Sequence, residues 1–163
     1  MNKADKTDRL KEAMKLCEIH HKRMFYAFSK VSNHFPLDAR TYEQLTQDDL
    51  SYIDQLIFRF SKLQDSMGKR LFPDLLEALG EDVYDKPFID KLNILERLEL
   101  LNDHRIWLNL RETRNLVTHE YPFEDLEIIE GLNALAEDVN KISVIWEKMN
   151  TYISERFGLG NQL

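Results

Sequence analysis

Apolar residues recur every three to four positions through most of this chain, the spacing of a single buried helical face. Leu10, Met14, Cys17, Met24, Phe25, Phe28 and Val31 mark a first stripe and predict a helix over about 7–35. A second stripe runs through Leu50, Ile53, Leu56, Ile57, Phe60, Leu63 and Met67. It opens at Thr46, which with Asp49 three residues later makes a helix start. Between the two, "PLDARTYEQL" (36–45) reads as a loop. Pro73 is expected to end or kink the second helix near Leu71, because its ring lacks an N–H and clashes with the preceding turn. "DLLEALG" adds one or two turns and stops at Gly80, a suitable C-terminal cap, and "EDVYDK" is a polar link.

Pro87 stands where a first helical residue belongs, ahead of "FIDKLNILERLELL", and Asn102 separates that helix from "DHRIWLNLRETRNLVTH". The latter should end near His119 to Tyr121, since Pro122 disfavours helical geometry before it. The last helix is expected over about 123–157, with Leu126, Ile129, Leu132, Leu135, Val139, Ile142, Ile145, Trp146, Met149 and Ile153 on its apolar side. Residues 158–163 read as a frayed tail. The expected fold is all-α: residues 1–163 form one domain, an up-and-down bundle of four main helices with a short extra helix.

Composition agrees with this pattern. Five glycines and four prolines in 163 residues are too few for the many turns of an all-β fold. Hydrophobic residues at 43% and charged residues at 31% suit a globular chain rather than a disordered one. No apolar run reaches the length of a membrane span, and "MNKADKTDRLKEAM" lacks the apolar core of a signal peptide. Cys17 is the one cysteine, so no internal disulfide can form, and a cytoplasmic location is expected. A formal net charge of −7 argues against broad affinity for nucleic acid, though not against a local basic site. The most basic stripe is Arg59, Lys62, Lys69 and Arg70, which share one broad helical face with Ser66. It reads either as a solvated face or as a guide for RNA phosphates.

One stretch breaks the apolar pattern. "RETRN", Arg111 to Asn115, puts five polar residues in a row inside a helix flanked by Trp107, Leu108, Leu116 and Val117. Successive helical residues lie about 100° apart, so five of them sample every face and at least one must point inward. A buried guanidinium or amide is costly unless paired. Either Arg111 or Arg114 makes a structural ion pair with a glutamate of another helix, or the polar turn lines a functional pocket. Asp54, Asp65 and Glu112 are further possible partners for Arg114 or His119. His119 follows Arg114 by five residues, about 140° around the axis. A guanidinium beside an imidazole titrating near neutrality can cleave a phosphodiester without a metal if the RNA 2′-hydroxyl is the nucleophile. The histidine would move the proton and the arginine would hold the charge building on phosphorus.

"RNLVTHEY", an arginine with a polar follower, then a histidine and a tyrosine at this spacing, resembles the signature of HEPN-domain proteins, and among them the HepT-type toxins. The resemblance implies a helical bundle with the motif at the end of a late helix. It also implies a homodimer whose two motifs form one composite, metal-independent ribonuclease site, with no cofactor. Arg114 and His119 match the catalytic pair, Asn115 the polar positioning residue and Tyr121 the motif tyrosine. The implied partner is a cognate nucleotidyltransferase antitoxin, which in some such pairs transfers AMP to that tyrosine. The rival expectation is a non-catalytic nucleotide- or substrate-binding subunit of a nucleotidyltransferase. A third is a helical dimerisation module whose "RETRN" only forms ion pairs. Preceding Pro122, Tyr121 is expected to leave the helix extended and to stand at the rim of the site.

Other groups point elsewhere less strongly. Cys17 and His21 are one turn apart, but a closed zinc site needs two more ligands and no paired-cysteine or HExxH spacing is present, so no metal is expected. Cys17 reads as a small core residue, and His20 and His21 as the edge of the first apolar stripe. His104 is expected at the surface. No glycine-rich phosphate loop, serine elbow or dinucleotide fingerprint occurs.

Overall fold

The computed structural model describes residues 2–119 and 125–159, and every regular element among them is helical. Seven α-helices follow in order: α1 Lys3–Val31, α2 Ala39–Glu43, α3 Gln47–Ser66, α4 Phe72–Ala78, α5 Phe88–Arg97, α6 His104–Thr118 and α7 Asp125–Phe157. Of the long helices, α1 packs along α3, α6 along α7, α1 against α7 and α3 against α6. The core between them holds Met14, Leu56, Phe60, Trp107, Leu135 and Trp146, all essentially inaccessible. No helix among the described residues is long and apolar enough to cross a membrane.

The helix boundaries follow local chemistry. Thr46 caps α3 as its pattern suggests: its hydroxyl accepts from Asp49 N–H at 3.1 Å, while the Asp49 carboxylate accepts from Thr46 N–H at 3.0 Å. The same box explains α2, a helix where a loop was expected. Asp38 accepts from Thr41 N–H at 2.8 Å and Thr41 Oγ1 accepts from Asp38 N–H at 2.8 Å, so five residues of the loop wind up. α4 ends as expected at Gly80, whose φ of +87° lets Glu81 N–H reach back to Leu76 C=O at 2.9 Å. α5 stops earlier than its pattern suggested, at Arg97. Glu99 adopts φ +59° and Leu100 N–H bonds Leu95 C=O, closing the helix with the geometry a glycine would favour. At the other end, Leu159 packs against the core.

Pro73 does not end its helix. The rod runs from α3 into α4 through a π turn, Met67–Leu71, in which Phe72 N–H bonds Met67 C=O five residues back. The wider turn shifts the hydrogen-bond pattern just before Pro73, and the ring then sits in the first turn of α4, where its missing N–H leaves no bond broken.

His20 and His21 are joints between helices rather than decoration. Arg59 Nη1 of α3 donates to His20 Nδ1 at 3.0 Å, and His21 Nε2 meets Ser143 Oγ of α7 at 2.8 Å. Cys17 is fully buried, and burial drives its thiol pKa far above the ordinary value. Burial lowers the pKa of both histidines; for His20 the cations Arg59, Lys62 and Arg23 add to it, while for His21 Glu18 and Glu147 oppose it. A histidine whose folded pKa is depressed contributes fully above the ordinary value of 6.5, and that contribution falls away as pH drops below it. The melting temperature is therefore expected to fall between pH 7.5 and pH 5.5, and the His20→Gln/His21→Gln double variant to show a flatter profile over that window in circular-dichroism melts.

Candidate functional site

The interrupted turn of α6 faces the end of α3. Its five polar side chains go to four destinations. Arg111 is exposed and lies over the Phe88 ring of α5, 5.2 Å from the centroid. Glu112 is exposed. Thr113 is buried and donates its hydroxyl to Asp138 of α7 at 2.5 Å; Lys141 stands 3.5 Å from the same carboxylate. Arg114 reaches α3, its Nη2 donating to Asp65 Oδ2 at 3.0 Å, with both side chains about one-third exposed or less. Asn115 is exposed on the same side.

The inward-pointing residues demanded by helical geometry are thus Thr113 and Arg114. The ion pair expected from the sequence exists, but its acid is an aspartate of the same chain rather than a glutamate. Of the partners considered, Asp65 is the one that Arg114 meets. Asp54 lies exposed three turns earlier on α3.

Between these helices opens a cavity of about 330 Å³. α6 contributes Trp107, Arg111, Arg114 and Asn115; the end of α3 and the π turn contribute Gln64, Asp65, Gly68 and Lys69; Phe88 of α5 closes one side. Gly68 makes the close approach possible, for a Cβ there would lie 3.3 Å from Trp107 Cζ2 and 3.6 Å from Phe88 Cζ. Three cations, Lys69, Arg111 and Arg114, face one carboxylate, Asp65. Asp65 is held by Arg114 and, at 3.9 Å, by Lys69. In an acidic chain this is a local positive excess, suited to a phosphate that Arg114 could meet with its fork.

Of the basic stripe, Lys69 reaches this cavity and the other three do not. Arg59 bonds His20 and lies 5.0 Å from the Phe58 ring centroid, Lys62 lies 5.7 Å from the same ring, and Arg70 stands 3.6 Å from Glu12 of α1. The π turn separates these residues, since it breaks the helical phase that the spacing assumed.

His119 is the C-terminal cap of α6, exposed, with extended backbone (φ −74°, ψ 140°) and its N–H on Asn115 C=O at 3.1 Å. The helix therefore stops at Thr118, slightly before the expected point. Tyr121 and Pro122 lie outside the described residues. His104 opens α6, about 15 Å of helix away from Arg114, with its Nδ1 2.6 Å from Glu96 Oε1. Glu96, Asp103 and His104 could together hold a cation, but this corner is already closed by its own hydrogen bonds to His104 and Arg105.

Sequence pattern did not single out Gln64 or Trp107 as site residues. Gln64 is four residues after Phe60 and one after Leu63, so it stands on the buried stripe of α3, and a polar residue there was the available signal. No protein-family model, no curated protein and no solved structure matches the chain.

Proposed function

We propose that this chain is a HEPN-type, metal-independent endoribonuclease toxin, a four-helix bundle of the HEPN kind acting as a cytoplasmic homodimer. Its antitoxin partner is a nucleotidyltransferase, and Tyr121 is that partner's candidate site for AMP. The observation that carries the reading is local. Arg114 and Asn115 share the edge of a cation-rich cavity, Arg114 is aimed by Asp65, and α6 ends one turn later at an exposed His119.

In the proposed reaction His119 takes the proton of the RNA 2′-hydroxyl, whose oxygen attacks phosphorus. Arg114 offsets the charge gathering on the phosphoryl oxygens, and the 5′-oxygen leaves with a proton. The products are a 2′,3′-cyclic phosphate and a 5′-hydroxyl. Pairing with Asp65 keeps the guanidinium oriented before substrate arrives, which lowers the reorganisation needed at the transition state.

The test is incubation of the purified chain with a single-stranded RNA oligonucleotide in excess EDTA. The expected result is cleavage to those termini, blocked by 2′-deoxy substitution at the cut. Absence of cleavage would overturn the nuclease reading and leave the second one, a non-catalytic nucleotide- or substrate-binding subunit of a nucleotidyltransferase. That alternative draws support from the cavity itself, which holds aromatic, amide and cationic groups at the scale of a nucleotide.

A further inference from the structure

Deep in the cavity lies a polar group that the proposed cleavage does not use. Gln64 is 3% exposed, and neither its Nε2 nor its Oε1 has a hydrogen-bond partner among the described residues. A buried amide with both ends unpaired is costly, because each end has given up water for nothing. Its surroundings cannot complete it: Trp107 and Gly68 are apolar neighbours, and Asp65 is engaged by Arg114 and Lys69. The amide lines the same cavity as Arg114, whose own Nε is also buried and unpaired.

We propose that the cavity is a base-recognition subsite for adenine, with the Gln64 amide pairing to the base edge; this rests on the RNA reading above and names what the site reads. A carboxamide offers one donor beside one acceptor. Adenine presents the matching pair on two edges, its 6-amino group with N1 and with N7, so it fits in either orientation. Guanine would bring neighbouring N1 and 2-amino donors that call for a carboxylate, and the cavity's one carboxylate is already occupied. The single-ring pyrimidines offer a smaller face to Phe88 and Trp107, and stacking on aromatic rings favours the larger base. Arg111, over Phe88, and Lys69 stand at the exposed rim, where the attached phosphate would lie.

The test uses the four nucleoside 5′-monophosphates titrated into the wild-type chain by calorimetry, then into Gln64→Met. Methionine preserves length and removes an unpaired amide, so its melting temperature should not fall. The expected result is AMP binding about tenfold or more tighter than the other three, with that preference lost in Gln64→Met. Equal binding of all four, no binding, or an AMP preference that survives Gln64→Met would each overturn the subsite. Cleavage of RNA in EDTA without any AMP preference would overturn the subsite alone. A Gln64-dependent AMP preference without cleavage would overturn the nuclease reading alone.

Discussion

His119→Ala is expected to reduce RNA cleavage by about 10³-fold while leaving the fold intact. A positioned proton-transfer group is worth about 10²–10⁴ in rate, and no other imidazole stands near the motif in sequence. His119 caps α6 through its backbone, which alanine retains, and its side chain is exposed. Circular dichroism of the variant should therefore match wild type. The companion variant, Arg114→Lys, keeps the charge and loses the fork. Lysine cannot hold Asp65 and a phosphate in one planar geometry, so a fall of about 10²–10³ is expected even though charge is conserved. Rates measured on one RNA oligonucleotide in EDTA check both. If either variant cleaves at the wild-type rate, the pair is not catalytic.

Trp107→Ala is the substitution expected to cost the most stability. Its side chain is 1% exposed, with the Phe72 ring 4.7 Å away and Gly68 brought against its edge. Truncating a buried tryptophan removes about 3–5 kcal/mol, from lost transfer energy and from the hole left behind. For a chain of this length that corresponds to a fall of about 10 °C in melting temperature, readable by calorimetry. Trp107→Phe should recover much of it. Because Trp107 joins the core to the cavity wall, the alanine variant should also bind nucleotide less well, whereas His119→Ala touches no core residue and should melt like wild type.

The long helices were legible because their burial is one-sided. Leu10 to Val31 on α1 and Ile129 to Ile153 on α7 repeat at helical spacing, and those residues are the ones found inside. What escaped reading depends on a single local bond or on tertiary phase. α2 follows from Asp38 and Thr41, a three-residue box that competes with the loop signal of Pro36. Pro73 misled because a proline stops a regular α-helix, whereas here a π turn precedes it and the pattern of carbonyls has already shifted. At the site, "RETRN" announced an inward polar group, and the backbone period alone could not say that Thr113 and Arg114 were the two. Their partners, Asp138 and Asp65, come from other helices, 25 and 49 residues away. Asp138 did leave a mark: it stands on the apolar stripe of α7 between Leu135 and Val139. Gln64 left a similar one on α3.

The π turn has a further consequence for how this rod of the protein can change. An α-helix advances about 100° per residue, so every side chain along a regular rod is locked in phase with every other. Met67–Leu71 takes up about one residue of that advance. Upstream, Gln64 and Gly68 are turned toward the cavity; downstream, Phe72, Leu75 and Leu76 are turned into the core. The two faces are thus set by separate windings of one continuous helix. Residues lining the cavity can be exchanged for a different ligand without re-registering the packing layer that follows, and the protein carries a variable surface and an invariant one on the same strand of chain.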